Sequence, residues 1–185
     1  MVARRPALKA GQKTRLVLVL GGARSGKSVY AEARVRALAG PRATALYLAT
    51  AEPHDAEMQT RIDLHRDRRG KNWRTLEVPL EIATAIAETQ APMLVDCLTL
   101  WLSNLMFAKR DVGAETQQLL AALKNRRAPI VLVSNEVGLG IVPDNKLARD
   151  FRDHAGRLHQ AVAGIATDAI FVAAGLPLAL KGKTT

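Results

Sequence analysis

Cysteine occurs once in the 185 residues, as Cys97. An internal disulfide is therefore excluded, and so is a metal site built on cysteines; inside an apolar run, a lone thiol reads as buried and inert. Aromatic residues are scarce at 4%, so the core must rest on Leu, Val, Ile and Ala. No apolar run approaches the roughly 18 residues of a membrane span, and residues 1–15 lack the hydrophobic segment of a secretory signal, so the cytoplasm is the expected compartment. Internal repeats and low-complexity segments are also missing.

Acidic residues are in deficit, 17 against 27 Lys and Arg, for a formal net charge of +10. Such a charge suits nucleic acid, a membrane surface or an anionic small substrate. Arg4, Arg5, Lys9, Lys13 and Arg15 fall in a Pro- and Gly-containing stretch without apolar periodicity. Discounting them brings the charge of the folded body to about half. The expected organisation is a basic flexible tail, 1–14, and one globular domain, 15–185.

Short apolar runs alternate with helical patterns along that domain. "RLVLVL" (15–20), "ATALYLAT" (43–50), "APMLVDCLTL" (91–100), "PIVLVSN" (129–135) and "DAIFVAAG" (168–175) read as strands buried on both faces. Helices are expected near 25–38, 53–69, 80–89, 114–124 and 145–165. In the last of these Leu147, Phe151, Ala155, Leu158, Val162 and Ile165 mark a core-facing stripe. "LPLALKG" (176–182) reads as a short return strand, with Pro177 tolerable only at a sheet edge. The alternation predicts an α/β fold with an open, mostly parallel sheet, helices on both faces, and ligands bound at the carboxyl ends of the strands.

"GGARSGKS" (21–28) satisfies G-x-x-x-x-G-K-[ST] through Gly21, Gly26, Lys27 and Ser28, between an apolar strand and a helix. Glycines let the backbone curl so that its N–H groups face a phosphate. Lys27 then reaches the outer phosphates, and Ser28 is a ligand for Mg²⁺. An accidental Gly-rich turn is the competing reading, and the flanking strand and helix argue against it. "MLVD" (93–96) ends a strand on Asp96, where a carboxylate that helps hold magnesium is expected, although a strand-ending Asp also serves as an ordinary helix cap.

"QTRIDLHRDRRGKNWR" (59–74) gathers cations around His65. On a helix, Arg61, His65 and Arg68 or Arg69 share one side. Two readings stay open from spacing: a solvated, salt-bridged surface, or an imidazole kept neutral by neighbouring cations and able to attack phosphorus.

"GGARSGKS", "YLATAE", "RIDLHRDRR", "WRTLE", "VDCLTLWLSNL" and "SNEVGLGIVPDNKLARDFRDHAGRLHQ" resemble, in order, the signatures of the bifunctional adenosylcobinamide kinase / adenosylcobinamide-phosphate guanylyltransferases of cobalamin biosynthesis. The resemblance runs from about Leu16 to Lys181. It implies a RecA-like P-loop NTPase with an antiparallel edge strand. It also implies two reactions: ATP or GTP phosphorylates adenosylcobinamide, then GMP passes from GTP to that phosphate through a covalent bond to His65, releasing pyrophosphate. Nucleotide contacts carried over are Gly21, Gly22, Ala23, Arg24, Ser25, Gly26, Lys27, Ser28, Ala49, Thr50, Ala51, Arg66, Asp67, Arg68, Arg69, Glu77 and Asp96, with Lys27 catalytic beside His65 and Ser28 and Asp96 on Mg²⁺. Pro53 and Gly70 are candidate hinges for the His65 segment, and a homotrimer is implied. Leu64 departs from members that carry a second histidine there.

In the same comparison Asn135 and Glu136 fall near the nucleotide or cobinamide without a firm role, a structural turn being the competing reading of that loop. From the residues, His154 and His159 are read as non-catalytic, on partner surfaces or salt-bridged faces, and His54 as a first-turn helix residue. Two rival functions remain from the residues: a nucleic-acid ATPase and a simple small-molecule kinase. The first is disfavoured because the basic residues form no patch interleaved with aromatics.

Overall fold

The computed structural model describes residues 15–41, 43–51 and 72–184. Seven strands form one sheet: β1 (Leu16–Gly21), β2 (Ala45–Ala49), β3 (Trp73–Glu77), β4 (Met93–Asp96), β5 (Ile130–Asn135), β6 (Asp168–Ala173) and β7 (Leu176–Lys181). Their order is β3-β2-β4-β5-β1-β6-β7. All neighbours pair in parallel except β6 and β7, which run antiparallel, so the expected α/β sheet with one reversed edge is what forms. The helices are α1 (Lys27–Ala39), α2 (Ile82–Glu88), α3 (Leu98–Phe107), α4 (Val112–Asn125) and α5 (Lys146–Ile165).

The central strands are apolar over most of their length because both their faces are covered. Leu16, Leu18 and Leu20 of β1 join Met93, Val95, Ile130 and Leu132 in one core, roofed by α2, α3, α4 and α5. Val17 and Val19 join Leu94, Val131 and Val133 in the other, against Ala31 and Val35 of α1. Alternation of side chains along each strand assigns successive residues to opposite cores. Trp101, fully buried, anchors the first core and donates its indole N–H to Leu80 O at 2.7 Å.

Helix ends are closed locally. Asp111 and Asn145 accept from the N–H groups of Ala114 and Ala148, capping α4 and α5. α2 lacks a glycine at its end; the buried Arg126 guanidinium supplies the missing donors to Ile86 O, Thr89 O and Ala91 O. The β6–β7 turn needs only Ala174 and Gly175, both at positive φ, which suits the twist of a two-residue hairpin.

Two elements differ from the sequence reading. The run 91–100 is not one strand: it stops at Asp96, and Leu98 begins α3. α3 is apolar almost all round, so it carries no polar face to betray its period. β3 escaped for the opposite reason. As the edge strand of the sheet it is only half-buried, and "WRTLE" has no apolar run. The α5 stripe also divides: Ala155, Leu158 and Val162 are buried, while Leu147 is exposed. The tail 1–14 and the helix expected over 53–69 lie outside the described residues, and among those described no helix is long and apolar enough to cross a membrane.

Candidate active site

Parallel register brings the carboxyl ends of five strands to one edge. Gly21 is opposite Asn135, Asp96 is opposite Val133 and Ala49, and Ala49 is opposite Glu77. Residues separated by as many as 114 positions in the chain thus share one line across the sheet.

The loop Gly22–Gly26 leaves β1 at this line and turns into α1. Gly26, at φ 93°, starts the helix with no side-chain cap, so the N–H groups of the first turn are presented rather than covered. That combination, with the helix dipole behind it, favours an anion. Gly26 has a second constraint: a Cβ there would stand 3.0 Å from Gly175 Cα. Gly175 N–H donates to Ser25 O at 2.8 Å, so the β6–β7 turn braces the loop from behind. Gly21 is equally confined, since a Cβ would meet Ser25 Oγ and Val172 O at 2.5 Å. Ala23 and Arg24 are exposed on the outside of the turn, Arg24 at φ 55°.

Lys27 folds back over the loop and donates to Gly22 O at 3.0 Å. Burial pushes its pKa down, with Cys97 and Asp96 opposing the shift. Losing water makes the ammonium a stronger partner for any phosphate that replaces the carbonyl contact. Ser28 follows in the first turn, partly buried.

Asp96 is held by Tyr47, whose hydroxyl donates to Oδ2 at 2.7 Å from the adjacent strand. Thr50, fully buried, binds β2 to β4 twice: Oγ1 donates to Cys97 O and accepts from Cys97 N–H, each at 2.8 Å. Asn104 of α3 closes the same corner by donating to Thr50 O and Pro79 O. Cys97 is buried, and burial pushes its thiol up to about 11, so it is a structural group at neutral pH, as expected for a lone cysteine in an apolar run. Glu77 stands exposed at the end of β3.

The end of β5 adds groups for which spacing offered no role. Asn135 donates to Thr99 Oγ1 at 3.0 Å, Ser134 Oγ lies 2.7 Å from His159 Nε2, and Glu136 N–H donates to Gly21 O at 3.0 Å. His159, expected on a partner surface or a salt-bridged face, is buried against the sheet. Tyr47, Thr99 and Asn104 lie inside the quoted motifs but had no role there, because they sit inside apolar runs where only a tertiary neighbour gives them work.

The structure therefore gathers Gly21 to Ser28, Ala49 to Ala51, Glu77 and Asp96 on one edge. His65, Arg66, Asp67, Arg68 and Arg69, with His54, Pro53 and Gly70, lie outside the described residues. Ala51 is the last described residue before them, one position beyond Thr50. Among the described residues no group of three or more His, Cys, Asp or Glu could hold a metal ion. Ser28 and Asp96 offer oxygens, hard donors of the type Mg²⁺ takes alongside phosphate and water.

A family model described as "Cobinamide kinase / cobinamide phosphate guanyltransferase" matches residues 17–180. The bifunctional adenosylcobalamin biosynthesis protein CobP of Pseudomonas aeruginosa is 48% identical over 171 residues, covering 90% of this chain and 97% of that protein. The bifunctional adenosylcobalamin biosynthesis protein CobU of Salmonella typhimurium is 41% identical over 184 residues, covering 90% of this chain and 99% of that one. Among solved structures, the flagellar accessory protein FlaH from Methanocaldococcus jannaschii superposes with a TM-score of 0.53 over 91% of this chain and 79% of that one. At 14% identity this is a likeness of fold, that of the P-loop NTPases.

Proposed function

The chain belongs to the cobinamide kinase / cobinamide phosphate guanyltransferase family, and from that premise we propose that it catalyses both reactions of its relatives. It phosphorylates adenosylcobinamide with ATP or GTP, then transfers GMP from GTP onto the new phosphate to give adenosyl-GDP-cobinamide and pyrophosphate. The observation that carries this reading is the alignment of the Gly21–Ser28 cradle with Asp96 on one sheet edge, in a chain matched to the family from residue 17 to 180.

Cradle amides and Lys27 bind the phosphates; Ser28 and Asp96 would hold Mg²⁺, which would neutralise phosphate charge. Glu77 and Ala49 to Ala51 contact the nucleotide. His65 is the nucleophile that takes GMP as a phosphoramidate, with Arg66, Asp67, Arg68 and Arg69 around the transferring phosphate. In support, Ala51, the last described residue before that segment, lies two positions past the end of β2, whose carboxyl end shares the sheet edge with Asp96. Two displacements at phosphorus each have a good leaving group, pyrophosphate and then a neutral imidazole.

Incubation with α-labelled GTP tests this. An acid-labile label should form on the enzyme, be absent in His65→Ala, and be chased by adenosylcobinamide phosphate. A simple kinase would take up no label.

We assign the protein to the cytoplasm, where ATP and GTP are supplied, and to a homotrimer. Supporting self-association, β7 exposes Leu176, Leu178 and Leu180 along an edge strand, and Leu139 and Ile141 are exposed after β5. Unpaired apolar edges of this kind invite a partner. Sedimentation of wild type and Leu178→Lys checks the assignment: the wild type should run as a trimer and the variant as a smaller species.

A further inference from the structure

Strand order sets β5 between the strand that feeds the cradle and the strand that ends in Asp96. Asn135 pairs with Gly21 on one side, and Val133 pairs with Asp96 on the other. The next residue, Glu136, leaves the sheet between the phosphate loop and that carboxylate, tied to the loop by its N–H on Gly21 O at 3.0 Å. Its side chain is 22% exposed, so it reaches solvent at the mouth of the site.

The Glu136 carboxylate is steadied on two sides. Gly138 N–H donates to Oε1 at 2.5 Å. Oε2 faces His159 Nδ1 at 3.8 Å, beyond hydrogen-bonding reach but within range of the ring's field. His159 is anchored in turn by Ser134 Oγ, 2.7 Å from Nε2 and fully buried. With Ser134 donating, the imidazole proton sits on Nδ1 and points at Glu136; the other tautomer would set a lone pair against a carboxylate. Burial pushes the His159 pKa down while Glu136 opposes it, so the ring acts as a neutral dipole that orients the carboxylate without neutralising it.

Neighbouring groups are committed elsewhere. Asp96 accepts from Tyr47, and the Cys97 thiol is buried against Thr99. A base serves a kinase that phosphorylates a hydroxyl, and Glu136 leaves β5 beside Gly21, at the sheet edge from which the cradle rises.

Resting on the kinase reading above, we infer that Glu136 is the catalytic base of the phosphorylation step and that His159, buttressed by Ser134, is the residue that positions it. The terminal hydroxyl of the substrate gives its proton to Glu136. Its oxygen forms the new bond to the γ-phosphorus, and the bond from that phosphorus to the β–γ bridging oxygen breaks, its electron pair leaving with the nucleoside diphosphate. The proton then passes from Glu136 to solvent. Guanylyl transfer needs no such base, because its acceptor is a phosphate that already carries anionic oxygens.

That asymmetry supplies the test. Steady-state rates of both half-reactions are measured on the full-length enzyme, with ATP and adenosylcobinamide for one and GTP and adenosylcobinamide phosphate for the other. Glu136→Gln should lower kcat of the kinase step by about 10² to 10⁴ with KM for ATP held within about threefold, as loss of a general base does. GMP transfer and the covalent GMP label should stay within about threefold of wild type. His159→Gln should lower kinase kcat about tenfold at unchanged KM, and should add nothing further in the Glu136→Gln background, since both act through one group. Independent losses in the double variant would make His159 merely structural and overturn its part. A kinase loss under about fivefold, or equal losses in both half-reactions, overturns Glu136 as the base. If Glu136→Gln does not fold, Glu136→Asp carries the same comparison with its carboxylate drawn back by one methylene. Failure of the functional reading itself looks different: the wild type would show neither half-reaction.

Discussion

The Tyr47 hydroxyl reaches across from β2 to Asp96 Oδ2 at 2.7 Å, so the carboxylate at the end of β4 is aimed by its neighbour strand. Tyr47→Phe keeps the ring, including its edge-on contact with Trp73, and removes the hydroxyl that donates to Asp96. Stability should fall by about 1 kcal/mol, the net worth of one such bond. The larger effect should be on Mg²⁺: half-saturation of kinase activity should shift up about 10- to 100-fold, as when the partner of a metal ligand is removed. A magnesium titration of both proteins checks it, and superimposable curves would mean that Asp96 needs no help from Tyr47.

Gly26→Ala should damage the phosphate loop twice over. Its φ of 93° costs an L-residue about 1–2 kcal/mol, and the new Cβ presses on Gly175 at 3.0 Å. The expected result is a melting temperature lower by several degrees, about 2–4 °C per kcal/mol, with nucleotide binding lost by calorimetry. Gly22→Ala is the control for stability, because a Cβ there meets nothing within 4 Å. Equal melting temperatures for the two variants would rule out this account of the loop.

Asp168, at 1% exposure, gathers Arg15 at 3.3 Å, Arg34 at 3.5 Å, Thr167 at 3.2 Å and the Lys183 N–H at 2.9 Å. Arg34 is itself buried, so Asp168→Ala strands a guanidinium in the core. Breaking a buried pair from one side typically costs about 3–5 kcal/mol, and urea unfolding should show a loss of that size. A loss below about 1 kcal/mol would mean that Arg34 finds water.

Acid sensitivity should trace to His159. Its folded pKa lies below the ordinary 6.5 because burial disfavours the charged ring. In the unfolded chain the imidazole takes a proton near 6.5, in the folded one only at lower pH, so in between the unfolded state holds more protons. This group's contribution to stability is therefore complete above about pH 6.5 and is lost as pH falls through the folded pKa. Melting curves between about pH 7.5 and 5.5 should drop more steeply for wild type than for His159→Gln. Parallel slopes would assign the acid loss to other groups.

Much of the fold was legible because buried parallel strands announce themselves. β1, β2, β5 and β6 are apolar runs without alternation, and the loop from Gly21 to Ser28 combines strand, glycines, Lys27 and helix in one contiguous stretch. Pro177 correctly marked β7 as an edge. α3 was illegible because burial on nearly all sides erased its period, and β3 because exposure at the sheet edge left it without an apolar run.

The sequence by itself determined a phosphate-binding loop and an α/β alternation, since both depend on short-range geometry: local hydrogen bonds, glycine torsions and the period of burial. Only the tertiary structure decided that Tyr47 serves Asp96, that Glu136 emerges beside Gly21, and that His159 stands behind Glu136 on Ser134. Those neighbours are set by which strands lie side by side. In a sheet ordered β3-β2-β4-β5-β1-β6-β7, that adjacency arises from crossovers spanning tens of residues, and no local pattern records it.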